Sequence, residues 1–434
     1  MTTVVSREAS MPIPTAPLTI GESGLAQDFV SNLILKHLHV GSETTGLQMA
    51  RRLGLEYSVI DPSFEFLKRT RQVEVSGGLS VGGPSYSYRI TEEGRRNALL
   101  LFEQNKYVGL APVPLGQYVR YMERYARAYR STVTRARVRE AFSHLVLSGK
   151  VLDQLGPAVA AAHSLFIYGP PGNGKTVIAQ GVRNLLDGEI FIPHALEVEG
   201  QVITFFDPVN HETVEIPDTG SPLIAGDRHD GRWILCRRPL VTVGGELMLA
   251  DLDLSYSPTM GMYTAPVHLR ANGGVLVVDD FGRQQCPARD LLNRWIVPLE
   301  SRVDFLTLQT GQKFQVPFNL LVIFATNLRP SELVDEAFLR RIHYKVLAES
   351  PTTEEFTRIF SDCCVQKGLT YDPALALRLI DEYLLPRNIA LRGCHPRDLI
   401  EYALAHAEYR DEPRALTYTL LEAACQNYFV DGMA

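Results

Sequence analysis

Gly169-x4-Gly174-Lys175-Thr176, inside the run HSLFIYGPPGNGKTV, has the residue types and spacing of a loop that cradles phosphate. Glycines let backbone N–H groups close on an anion, a lysine reaches the β- and γ-phosphates, and a threonine hydroxyl ligates Mg²⁺. The predicted nucleotide-binding residues are Gly169, Pro170, Pro171, Gly172, Asn173, Gly174, Lys175, Thr176 and Val177. Such a loop needs a strand before it and a helix after it. Leu165–Tyr168 is a short apolar run of strand character, and Thr176–Leu186 carries apolar residues at helical spacing. That order aims a helix N-terminus at one point, where polyphosphate is stabilised.

The second constellation is VLVVDD, Val275–Asp280. An apolar strand that ends in two adjacent carboxylates needs a partner for them, because buried charge must be paired or solvated. A metal–phosphate site supplies one. Asp279 would hold Mg²⁺ through water and Asp280 would polarise the attacking water. LLVIFATN ends a further strand in Asn327, placed to orient that water against the γ-phosphate. EAFLRRI puts Arg340 and Arg341 at a helix end. One cleft already has Lys175, so these arginines are read as aimed at a neighbouring subunit's γ-phosphate.

The elements that position these groups follow from pattern. Apolar runs at Leu165–Tyr168, Ile190–Ile192, Val275–Asp279, Leu320–Ala325 and Tyr344–Leu347 alternate with helical stretches. They predict a parallel three-layer α/β sheet with the ligand at the carboxyl ends of the strands. The segment 195–270 is longer than a crossover requires and reads as an insert with two hairpins, QVITFFDPVNHETVEIP and GRWILCRRPLVTV. Phe205–Phe206 and Met260–Tyr263 are read as core, with substrate-gripping loops in a central pore as the alternative.

Upstream, Phe29–Leu38, Gly46–Leu53 and Ser63–Arg69 read as helices, Gln72–Ser76 and Ser85–Ile90 as strands, and Thr91–Glu103 as a helix. This is the order of a winged helix. Its third helix and the approach to it mix Glu56, Asp61 and Glu65 with Lys68, Arg69 and Arg71, a pattern that suits a protein-facing unit at least as well as a DNA-binding one. Lys106–Leu115 reads as a linker. Beyond it, Tyr118, Tyr121, Tyr125 and Tyr129 share one helical face opposite Arg120, Arg124, Arg127 and Arg130. The reading preferred is a packed tyrosine face with arginines in water, and the alternative is a strip for nucleic acid or an acidic partner.

The predicted divisions are a flexible tail 1–24, a winged-helix-like domain 25–104, a linker with the Arg/Tyr helix 105–137, an α/β core 138–350 and a helical lid 351–434. At 434 residues and 45% hydrophobic content the chain has ample core, and its net charge of −6 argues against wholesale polyanion binding. No run of eighteen apolar residues exists and the N-terminus lacks a secretory pattern, which predicts a cytoplasmic protein without a membrane span. The six cysteines show no zinc spacing.

From about Val138 to Met433 the chain resembles the AAA+ ATPases. Gly169–Thr176 looks like Walker A, Val275–Asp280 like Walker B, Asn327 like sensor 1, and Arg341, with Arg340 as alternate, like the arginine finger. The resemblance implies that Arg397, in GCHPRDL, is a sensor 2 residue that touches nucleotide. SRVDFLTLQTGQKFQVPF resembles the hairpin of the pre-sensor-1 clade, which includes MoxR-like and magnesium-chelatase-type proteins. The winged helix followed by NGGVLVVDDFGRQ is similar to chaperone-like ATPases associated with Flp (Tad) pilus loci. The implied cofactors are ATP and Mg²⁺, and the implied assembly is a homo-oligomeric ring, a hexamer, that remodels a protein substrate. The alternatives are a DNA-directed ATPase and a nucleotide-gated scaffold. The sequence departs from the family where Walker B ends in Asp280 rather than glutamate, which predicts slow hydrolysis.

Overall fold

The computed structural model describes residues 11–78, 83–128, 133–162, 164–215, 229–333 and 339–429. Five parallel strands form the central sheet, in the spatial order Leu240–Val243, Val275–Val278, Leu321–Thr326, Leu165–Tyr168, Tyr344–Leu347. Along the chain these are strands 2-3-4-1-5. Side chains alternate between two cores, as the pleat requires. Leu165, Ile167, Val275, Val277 and Ile323 pack on one face, and Phe166, Leu276, Val278, Val322 and Phe324 on the other. Helices cover both faces, so these strands are apolar throughout.

Four of the five expected strands take their places in this sheet. The fifth does not. Ile190–Ile192 lies in Glu189–Pro193, which pairs antiparallel with Trp233–Arg237 outside the central sheet. Its place is taken by Leu240–Val243, part of the second expected hairpin. A short apolar run has no feature that names its sheet.

Both expected hairpins of the insert are therefore corrected. Gln201–Thr204 pairs with Ala195–Val198 on one side and Met262–Thr264 on the other, within a second five-stranded sheet. Val113–Pro114 is that sheet's edge strand beside Ala195–Val198, so the supposed linker is part of a folded layer. The tyrosine face of the helix Leu115–Ala128 packs here: Tyr118, Tyr121 and Tyr125 are buried with Trp233, while Arg120, Arg124 and Arg127 face solvent. Tyr129 and Arg130 lie outside the described residues. Phe205 and Tyr263 are buried in the same core with Phe206 packed against it, whereas Met260 is 40% exposed.

The N-terminal unit runs helix Gln27–Gly41, strand Glu43–Thr45, helices Gly46–Leu53 and Tyr57–Arg69, strands Val73–Gly78 and Tyr86–Ile90, and helix Glu92–Gln104. The three strands form one antiparallel sheet with Tyr86–Ile90 in the middle. The third helix begins six residues before the expected Ser63, because Pro62 sits inside it without ending it. Residues 11–24 are no loose tail. Thr15 bridges to His229, Ser58 Oγ donates to the Leu18 carbonyl at 2.8 Å, and buried Arg232 donates to the Ser23 carbonyl at 2.9 Å. Arg232 also pairs with buried Asp230 at 2.7 Å, the pairing a buried charge requires.

Val303–Thr307 and Lys313–Pro317 make the hairpin expected before the Asn327 strand. The C-terminal part is helical, with Thr353–Gln366, Pro373–Arg378, His395–Tyr409 and Tyr418–Tyr428 packed around Phe356, Phe360, Leu399 and Leu421.

Candidate active site: a phosphate loop under a helical lid

Three positive-φ glycines shape the loop: Gly169 (φ 144°), Gly172 (φ 81°) and Gly174 (φ 70°). The first must lack a side chain, since a Cβ there would lie 2.4 Å from the Ala348 carbonyl oxygen. Gly174 leads into the helix Lys175–Gly181, and a Cβ on it would meet nothing within 4 Å, so the space above the loop is open. Lys175 is buried, and its ammonium donates to the carbonyls of Gly169 (3.1 Å) and Pro170 (2.8 Å). Burial holds its pKa below the ordinary lysine value; Asp280 and Asp279 pull it up and Arg392 pushes it down. A cation so desolvated is better satisfied by phosphate than by two carbonyls.

Thr176 Oγ1 donates to Asp279 Oδ2 at 2.8 Å, joining the end of the strand Val275–Val278 to the loop. The Asp279 N–H donates to the Val243 carbonyl at 2.7 Å, so the strand Leu240–Val243 anchors the backbone that carries this carboxylate. Asp280 sits in the left-handed region (φ 46°), which aspartate tolerates, and is exposed. Its Oδ1 accepts from Asn327 Nδ2 at 3.2 Å. Gln284 Nε2 holds the turn from below through the Asp279 carbonyl at 3.0 Å.

These groups line one cavity of about 450 Å³, with Pro171 to Val177, Asp279, Asp280 and Asn327 on its core side and Ile359, Cys363 and Arg397 on its lid side. Arg397 pairs with Asp398 (Nε to Oδ1, 2.9 Å) and stays 64% exposed. Gly169 and Pro170 contribute only their carbonyls to Lys175. Arg340 and Arg341 are not on the cavity wall; Arg341 Nε lies 2.5 Å from Glu300 Oε1 of the same chain.

The residue missed from sequence is Arg392. It sits beside the loop, with its Cδ 3.6 Å from where a Cβ on Gly172 would be, and acts on Lys175 electrostatically. Only the fold of the lid over the loop brings it there.

The oxygens at hand fit Mg²⁺. Among the described residues no three His, Cys, Asp or Glu groups gather as a metal cage. Thr176 and Asp279 supply two hard oxygens, as suits an ion that takes its remaining ligands from water and phosphate.

The family magnesium chelatase, subunit ChlI, matches residues 149–206, which span the loop and the strand before it. With the 2-3-4-1-5 chain order of the sheet and the lid above it, this decides the fold. The fold is that of an AAA+ ATPase. A second family, described as domain of unknown function DUF8689, matches residues 352–427, the helical lid of this AAA+ fold. No curated protein matches the chain significantly in sequence. Solved structures similar to it include the Thermotoga maritima RuvB Holliday junction branch migration motor, at 12% identity over 70% of this chain and 73% of that one (TM-score 0.37). NtrX from Brucella abortus in complex with ATP is 14% identical over 77% of this chain and 64% of that one (TM-score 0.39). Similarity of that order carries no argument about substrate or assembly. Among the described residues no helix is long and apolar enough to cross a membrane.

Proposed function

We propose that this chain is an ATPase that binds and hydrolyses Mg–ATP at the boundaries between subunits of a ring, and uses the cycle to remodel a protein. The observation that carries the reading is the convergence of Lys175, the Thr176–Asp279 pair and the Asp280–Asn327 pair on one cavity. In it Lys175 and the loop N–H groups would bind the phosphates, and Asp280 would take a proton from the attacking water held by Asn327. Mg²⁺ held by Thr176 and Asp279 would neutralise charge that develops on the phosphates.

Arg341, with Arg340 as alternate, would serve the neighbouring subunit's nucleotide, and Arg397 of the lid its own. Their positions off the cavity wall and on it, respectively, support that division. Head-to-tail contacts of this kind close into rings, with a hexamer as the proposed size. The N-terminal unit would be a winged helix that engages protein rather than DNA. Supporting this, the first turn of its third helix is tied to residue Leu18, where a DNA reader would need that turn clear. The hairpin 303–317 supports placement in the pre-sensor-1 group, and an origin near Flp (Tad) pilus loci would make the substrate a pilus-assembly protein.

The test is phosphate release from Mg–ATP at rising protein concentration. Turnover per subunit that climbs as the protein assembles supports the reading; equal turnover in dilute monomer and assembled protein refutes it.

A further inference from the structure

Asn173 is one of the expected nucleotide-binding residues, and both ends of its carboxamide are taken up by backbone groups. Its Nδ2 donates to the Ala348 carbonyl at 3.3 Å, just past the end of the edge strand Tyr344–Leu347. Its Oδ1 accepts from the Gly393 N–H of the lid at 3.2 Å. One partner can only accept and the other can only donate, so the amide orientation is fixed by chemistry. Beside it the Cys394 N–H donates to the Gly172 carbonyl at 2.8 Å, and a Cβ on Gly172 would lie 2.5 Å from Cys394 Sγ. The phosphate loop and the lid thus share a direct interface, with Asn173 tied to both the sheet and the lid.

We propose that Asn173 is a positioning residue that latches the lid to the phosphate loop, so that a bound nucleotide leaves when the latch opens. The proposal rests on reading the cavity as a nucleotide site. A loop that shifts to admit or release phosphate moves its own backbone, and through Asn173 and Gly172 it pulls on Gly393 and Cys394. Arg392 and Arg397 flank those two residues, so opening the latch withdraws the lid cations from the phosphates. Coupling of this kind between two parts of a site is worth roughly 5–150-fold in affinity.

Hydrogen exchange on the full chain without nucleotide reads the latch itself. Asn173→Ala should speed exchange of the lid segment around Gly393 and Cys394 by about tenfold, while the strands Leu165–Tyr168 and Leu321–Thr326 keep their protection. Asn173→Asp keeps an acceptor for the Gly393 N–H but turns a carboxylate oxygen toward the Ala348 carbonyl, so lid exchange should rise less than in Asn173→Ala. Release of a fluorescent ADP, followed by stopped flow, should accelerate in Asn173→Ala, which adds no charge to the phosphate loop. Unchanged lid exchange and unchanged release in Asn173→Ala would overturn the latch. So would protection lost from the central strands together with the lid, because that marks a collapsed loop. A wild type that binds no fluorescent ADP would instead sink the nucleotide reading; the exchange arm needs no ligand, so the two failures are distinct.

Discussion

Thr176 Oγ1 and Asp279 Oδ2 lie 2.8 Å apart although 103 residues separate them in the chain. The hydroxyl opens the helix after the phosphate loop and the carboxylate follows the strand Val275–Val278, next but one to Leu165–Tyr168 with Leu321–Thr326 between them, so the sheet order brings them together. A hydroxyl that donates to a carboxylate marks a point two oxygens already share, which a divalent ion can take over.

Asp280 stands where a glutamate would extend one methylene further, and Asn327 holds its Oδ1 at 3.2 Å. Asp280→Asn should lower turnover by roughly 10²–10⁴-fold with ATP affinity nearly kept, as for loss of a general base. Asp280→Glu should hydrolyse at least as fast as the wild type. Steady-state kinetics on the three proteins decide it, and a fully active Asp280→Asn would remove this residue from the chemistry.

Arg341 pairs with Glu300 in its own chain and lies off the cavity wall. Arg341→Ala should lose turnover by roughly 10³-fold while binding ATP. Mixing it with Lys175→Ala subunits is the sharper assay: each supplies what the other lacks, so mixed assemblies should regain activity. No recovery at any ratio speaks against an arginine delivered from the neighbour.

Arg392 faces the loop from the lid. Arg392→Ala should weaken ADP and ATP binding about tenfold, the worth of one charged hydrogen bond to phosphate, and Arg392→Lys should recover part of it. Titration calorimetry on the three proteins reads this directly, and equal affinities would leave Arg397 as the lid's sole cation for nucleotide.

His395 begins the lid helix His395–Tyr409, buried against the ring edges of Tyr428 and Phe429. Burial lowers its pKa from 6.5 to about 4, with Arg392 adding to the drop and Asp398 opposing it. The folded lid therefore keeps the ring neutral where the unfolded chain takes a proton. Its contribution to stability is full above pH 6.5 and is lost as pH falls from 6.5 toward 4. Denaturant unfolding should show the lid about 2 kcal/mol less stable at pH 5 than at pH 7, and His395→Gln should flatten that dependence.

The phosphate loop and its carboxylate strand could be read from the residues because each is local: a glycine spacing, and an apolar run that ends in two acids. The hairpin Val303–Thr307 with Lys313–Pro317 was equally local. Elements whose partners are distant could not be read. Glu189–Pro193 meets a strand some forty residues later, and Val113–Pro114 meets one eighty residues on, and nothing in an apolar run names its partner. Pro62 misplaced a helix start because a proline within a helix looks the same in sequence as one at its end. Arg392 and the side-chain role of Asn173 depend on the lid folding back over the loop, a contact more than two hundred residues apart in the chain.

The most direct measurement of the central claim is phosphate release from ATP, with and without Mg²⁺, by the wild type, Lys175→Ala and Asp279→Asn, each shown folded by its melting curve. Lys175, Thr176 and Asp279 acting on one Mg–ATP predict Mg²⁺-dependent turnover in the wild type, none in Lys175→Ala, and a weakened response to Mg²⁺ in Asp279→Asn. Equal turnover in all three, or turnover indifferent to Mg²⁺, would contradict it.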